Sequence, residues 1–167
     1  IHFISGKKIQ KQTITKAVNK EKYDGRLLIV EDVEANRIVA GEMLASHGYL
    51  VDYAVDGLDG VDKAGLNEYD AILMDIRMPK MNGIDACIHI RNNQGPNAMT
   101  PIIALTANAE MSEIERYYAA GMNEFISKPF EVTILLASIE RCIRQLATLD
   151  TLESKKNNTV QPTTKNK

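Results

Sequence analysis

The chain has 167 residues, 44% hydrophobic and only 5% aromatic, with no Trp. That is about one domain with some spare length, and enough apolar content for a full core. Its net charge of −2 hides an asymmetry: Lys-rich ends (1–24 and 150–167) flank a stretch, 25–149, with 10 basic and 18 acidic residues. A core this acidic argues against nucleic acid as its own partner.

The first residues do not read as a secretory signal, and no apolar run is long enough to span a bilayer. Cys87 and Cys142 fall in predicted helices without metal spacing, so a reduced, cytoplasmic setting is expected. The scattered His2, His47 and His89 have no ligand-spaced partner and read as ordinary surface or helix histidines. Because the chain opens on Ile1, it is expected to be a piece of a longer protein, with 1–24 a linker from an upstream domain.

The first predicted strand, Leu27–Val30, ends in the acidic pair Glu31-Asp32. A helix follows over Glu34–His47, with apolar positions at Ala35, Ile38, Val39 and Met43 and Gly48 as its stop. Tyr49–Ala54 alternates as a second, less buried strand, and Leu58–Leu66 is a short helix. Ala71–Met74 is a continuous apolar run, the mark of a strand buried on both faces, and Asp75 comes directly after it. A third helix, Ile84–Arg91, gives way to the turn-rich 92–97. Pro101 opens a fourth strand, Ile102–Leu105, that ends in Thr106. Met111–Ala120 is a fourth helix ended by Gly121, and Phe125–Ser127 is a fifth strand running into Lys128-Pro129. Val132, Leu135, Leu136, Ile139, Ile143 and Leu146 make the stripe of a fifth helix. The polar segment 149–167 is expected to be a disordered tail.

Strands alternating with helices at this spacing imply right-handed crossovers and a parallel sheet covered on both faces. Five units over 25–148 predict a flavodoxin-like, doubly wound α/β fold of strand order 2-1-3-4-5 with five helices, whose site lies at the switch point. That order brings Glu31, Asp32 and Asp75 together, with Thr106 and Lys128 on the same rim. Each has a bland reading when taken alone: helix cap, loop carboxylate, strand-end hydroxyl or solvated lysine. Together they make a site. Clustered carboxylates repel, and the usual remedy is a hard cation such as Mg²⁺, which takes carboxylate, water and phosphate oxygens. Lys128 adds positive charge and Thr106 a donor, which suits an incoming phosphoryl group with Asp75 as nucleophile.

On these residues, segment 26–148 resembles a receiver domain of the two-component response-regulator family. The matching motifs are Leu27–Asp32, Leu73–Pro79 through Gly83, Ala104–Ala107 and Lys128-Pro129-Phe130. The resemblance implies that Asp75 is the phosphoacceptor. It also implies that Asp32 binds Mg²⁺ directly, Glu31 through water and Arg77 through its backbone carbonyl. Thr106 and Lys128 would hold the phosphoryl oxygens, Phe125 would occupy the aromatic switch position where many members carry Tyr, and Lys128-Pro129 is a candidate cis bond. Arg77 and Asn108 would flank the mouth of the site and tune phosphoryl loss.

Asn36 and the stretch 105–109 look most like receivers fused to hybrid sensor histidine kinases. The implied partners are a kinase dimerisation and phosphodonor domain and a histidine phosphotransfer protein, the domain itself touching neither nucleic acid nor membrane. The parent could then be a membrane-bound sensor with this part in the cytosol. A stand-alone regulator is the alternative context. A Mg²⁺-dependent aspartyl phosphatase would need a carboxylate two residues after the nucleophile, where Arg77 stands. A receiver-like interaction domain without phosphorylation would need a broken acidic site. No histidine here sits in a phosphodonor helix and no ATP-binding glycine motif occurs, so the expected chemistry is phosphoryl acceptance and self-dephosphorylation, not ATP use.

Overall fold

A computed structural model describes residues 24–157. In chain order the elements are β1 (Arg26–Val30), α1 (Glu34–Ala45), β2 (Leu50–Ala54), α2 (Gly57–Leu66), β3 (Ala71–Asp75), α3 (Gly83–Asn92), β4 (Ile102–Thr106), α4 (Met111–Ala119), β5 (Glu124–Ser127) and α5 (Val132–Asn157). The strands form one parallel sheet in the order β2-β1-β3-β4-β5, as the alternating pattern predicts. β3 and β4 are buried along their whole length, whereas β2, at the sheet edge, is only partly covered.

Successive strand residues point to opposite faces, and the two faces carry separate halves of the core. Leu28, Val30, Ile72, Met74, Ile102 and Ala104 pack with Ala64 of α2, Ala86 and Ile90 of α3 and Tyr117 of α4. Leu27, Ile29, Leu73, Ile103 and Leu105 pack with Leu44 of α1 and Leu135 and Ile139 of α5. Each fully buried Leu or Ile is worth about 1.5–3 kcal/mol, so β1, β3 and β4, which end in the acids and Thr106, are also the most strongly anchored strands.

Helix starts are marked by side chains: Asp56 accepts from the Asp59 amide at α2, and Asn82 from the Asp85 amide at α3. Gly48 follows α1 with φ of 109°, a left-handed value that glycine adopts without strain. One expectation is corrected at the far end. A disordered tail from 149 was predicted, but α5 continues through Asn157. The reason lies in composition: no Gly or Pro interrupts 130–157, and Leu, Ala, Glu and Lys are good helix formers. Thr148, Thr151 and Ser154 each return a hydroxyl hydrogen bond to the carbonyl four residues back. The missing buried stripe marked where core packing ends, not where the helix ends. Residues 1–23 of the expected 1–24 linker and the tail beyond 157 lie outside the described residues. Among the described residues no helix is long and apolar enough to cross a membrane.

Candidate functional site

The site is built from the carboxyl ends of β1, β3, β4 and β5. β1 ends at Val30 and delivers Glu31 and Asp32; the Arg37 guanidinium on α1 donates to both of their carbonyls, at 2.6 and 3.2 Å, and pins that turn. β3 ends in Asp75. Glu31, Asp32 and Asp75 each offer a carboxylate oxygen within 4.8 Å of the others. Glu31 and Asp75 are buried and Asp32 is half-buried.

Lys128 arrives from the end of β5 and is shared between two acids. Its Nζ lies 2.6 Å from Glu31 Oε2 and 3.1 Å from Asp75 Oδ2. The other Glu31 oxygen accepts from the Val33 amide and from Asn36 Nδ2, both at 3.2 Å. Burial pushes the Asp75 carboxyl above the usual aspartate range; the Lys128 ammonium opposes this and the Glu31 charge adds to it. Burial works to lower Lys128, but its hydrogen bond to Glu31 and the charge on Asp75 outweigh it and hold the ammonium above its ordinary value. Three carboxylates against one ammonium leave a formal charge of −2, which one divalent cation would balance. The donors are all oxygen, the set a hard cation such as Mg²⁺ prefers. The residues present fit such an ion.

Arg77 is exposed, and its amide donates to Asp75 Oδ1 at 3.2 Å. Thr106 is buried at the end of β4, and its hydroxyl faces the β4–α4 loop: it donates to the Asn108 carbonyl at 2.8 Å, accepts from the Asn108 amide at 3.0 Å and meets the Tyr117 hydroxyl at 2.9 Å. Phe125 is half-buried on β5, edge-on to Tyr118 with ring centroids 6.5 Å apart. Lys128-Pro129 is cis.

Several residues that hold the site, or the domain behind it, in place carry no motif of their own. Asp56 caps α2 and takes an ion pair from Lys80 at 2.6 Å, so the β3–α3 loop is tied to the β2–α2 loop. Lys80 itself has φ of 64°. Gly83 lets α3 start against the end of β3: a Cβ there would stand 2.1 Å from the Asp75 carbonyl oxygen. Arg91 donates to the carbonyls of Gly121, Asn97, Ala98 and Thr100 and to Asn123 Oδ1. Tyr117 is buried with its hydroxyl on Thr106. The dipeptides Asn82-Gly83 and Asp56-Gly57 were readable cap signals; the partners of Tyr117 and Arg91 lie in other elements and loops and gave none.

Beside Lys128 a groove of about 510 Å³ opens between α1 and the β5–α5 turn. Ala35, Val39, Met43, Pro129 and Phe130 line it. Val33, Ile38 and Val39 on and just before α1 are apolar and exposed.

Residues 27–140 match the response regulator receiver domain. The chain is 42% identical over 118 residues, 70% of its length, to hybrid signal transduction histidine kinase G of Dictyostelium discoideum, and spans 3% of that protein. It is 39% identical over 121 residues, 72% of its length, to the response regulator ArlR of Staphylococcus saprophyticus, and spans 53% of it. Among solved structures, the receiver domain of sensor histidine kinase PA1611 from Pseudomonas aeruginosa, which holds a magnesium ion coordinated in its active site cleft, superposes with a TM-score of 0.67 at 40% identity. That match covers 72% of this chain and 98% of the other. Sheet order, acidic cluster and matched span agree: the chain belongs to the family of response regulator receiver domains of two-component signalling.

Proposed function

We propose that Asp75 takes a phosphoryl group from a phosphohistidine on a partner protein, and that the chain then switches conformation or passes the group to a histidine phosphotransfer protein. The observation that carries this reading is the sharing of Lys128 between Glu31 and Asp75 beside the half-buried Asp32. An Asp75 carboxylate oxygen attacks phosphorus, the phosphorus–nitrogen bond of the donor breaks, and the imidazole leaves with the bonding pair and takes up a proton. Glu31, Asp32, Asp75 and the Arg77 carbonyl would hold Mg²⁺, which when bound supplies positive charge opposite the transferring oxygens. Lys128 supplies the second positive charge and already contacts the attacking carboxylate. Thr106 provides a hydroxyl that must turn away from Asn108 to reach a phosphoryl oxygen.

A phosphoryl group on Asp75 adds charge and acceptor oxygens at a packed strand end. If Thr106 turns toward it, the space behind β4 changes, and Phe125 answers by packing alone because it has no hydroxyl. The result is a shift between two packings of the α4–β5 surface, driven by contacts the phosphoryl group makes in one of them. The apolar groove beside Lys128 and the exposed Val39 offer a docking face for the helix that bears the donor histidine.

The likeness to hybrid kinase G and to the PA1611 receiver supports a place in a hybrid histidine kinase. The likeness to ArlR supports the second context, a stand-alone response regulator. An aspartyl phosphatase is disfavoured by Arg77, which is basic where that chemistry needs an acid. Label transfer from a purified, phosphorylated histidine phosphotransfer protein tests the reading. Radiolabel should move to the chain in Mg²⁺ and not to its Asp75→Ala variant; label that never moves, or that moves equally to the variant, contradicts it.

A further inference from the structure

We propose that Tyr117 is a positioning residue for Thr106: it is the replacement donor that lets the Thr106 hydroxyl leave the Asn108 carbonyl for a phosphoryl oxygen. This rests on the phosphoacceptor reading of the site and adds a role for a residue outside it. The Asn108 carbonyl is held by two hydroxyls at once, Thr106 Oγ1 at 2.8 Å and Tyr117 Oη at 3.1 Å, and the two hydroxyl oxygens are themselves 2.9 Å apart. Tyr117 is 1% exposed and Thr106 2%, so water does not freely replace either.

Each hydroxyl has one proton. In this triangle either Tyr117 donates to Thr106 and Thr106 to Asn108, or Tyr117 donates to Asn108 while Thr106 donates to the same carbonyl or to Tyr117. Both arrangements use both protons. When Thr106 turns to a phosphoryl oxygen, its proton goes with it, and the second arrangement leaves the Asn108 carbonyl still paired with Tyr117. Without the tyrosine hydroxyl, the same turn leaves a partly buried carbonyl with no donor. Leaving such a group unmade is the costly direction of the hydrogen-bond balance. The tyrosine thus acts on the equilibrium of Thr106 without touching the phosphoryl group.

The test is the dissociation constant of beryllofluoride, a noncovalent stand-in for the phosphoryl group, measured with Mg²⁺ by ¹⁹F NMR on the whole chain. Four proteins make a cycle: wild type, Tyr117→Phe, Thr106→Ala and the double variant. Tyr117→Phe removes one oxygen and should weaken binding about three- to tenfold. In the Thr106→Ala background the same change should do nothing, because no hydroxyl then leaves Asn108. Unchanged or tighter binding by Tyr117→Phe, or an equal loss in both backgrounds, overturns the proposal. A wild type that binds no beryllofluoride overturns the phosphoacceptor reading and this inference with it. A crystal structure of the wild-type complex gives an answer free of folding effects. Tyr117 should still bond Asn108 while Thr106 has left it, and a Tyr117 that has also left contradicts the proposal.

Discussion

Lys128 and Asp75 follow or end strands that do not touch, β5 and β3, yet their side chains meet at 3.1 Å across the end of β4. The lysine also holds Glu31 at 2.6 Å, so one ammonium bridges two buried carboxylates. Replacing it with Met should destabilise the fold by about 3 kcal/mol, the low end of the cost of removing one partner from a buried pair. Mg²⁺ should recover part of that loss, because a bound cation restores the missing charge and stabilises the state that binds it. Urea unfolding of Lys128→Met with and without Mg²⁺ checks this; a variant as stable as wild type, or one indifferent to the ion, contradicts it.

Asp56 gives a pH prediction. The Asp59 amide, the first and largest cause, and then Lys80 hold its carboxyl below the ordinary value of 3.8. A group with a depressed folded pKa adds stability above its unfolded pKa, and that stability is lost as pH falls through the folded value. Asp56→Asn keeps an oxygen that can cap α2 but cannot pair with Lys80. Wild type should therefore exceed the variant in stability at neutral pH, and the gap should close in acid below 3.8. A gap that is constant across the range would exclude the ion pair as its source.

Gly83 is required by contact rather than by dihedral. A Cβ would press on the Asp75 carbonyl oxygen at 2.1 Å and on the Met74 side chain at 2.9 Å. Gly83→Ala should cost about 1–3 kcal/mol by overpacking and should weaken Mg²⁺ binding in the same step, since the strain falls on Asp75 itself. Thermal melting and a metal titration report the two effects. Loss of stability with unaltered metal affinity would mean that the helix yields and the strand end does not.

Arg91 closes the opposite side of the domain. Burial lowers its pKa, yet its guanidinium serves four carbonyls and Asn123 Oδ1 from one fixed plane. Arg91→Lys keeps the charge and loses the fork, and should cost roughly 1.5–3 kcal/mol, the worth of a charged hydrogen bond. Phosphoryl acceptance by the folded fraction should be unchanged. Full stability in Arg91→Lys would show that charge alone is enough there.

The sheet order was legible because Leu27–Val30, Ala71–Met74 and Ile102–Leu105 are short apolar runs ended by polar residues, separated by helical periods. The acidic cluster was legible for the same reason: parallel topology converts strand ends into one rim. The far end of α5 was not, since a fully exposed helix such as 147–156 leaves no apolar stripe to read. The partners of Thr106 were hidden too. Tyr117 reads as one more apolar position on α4, and only the fold brings its hydroxyl to the β4–α4 loop. Lys80 was hidden in another way, because its left-handed backbone has no signature in a lysine codeword.

The most direct test of the central claim is intact mass after incubation with acetyl phosphate, on wild type and Asp75→Ala, each with Mg²⁺ and with chelator. The account predicts a gain of one phosphoryl group on wild type in Mg²⁺ and none in the other three samples. A gain that survives in Asp75→Ala, or that needs no divalent cation, would contradict it.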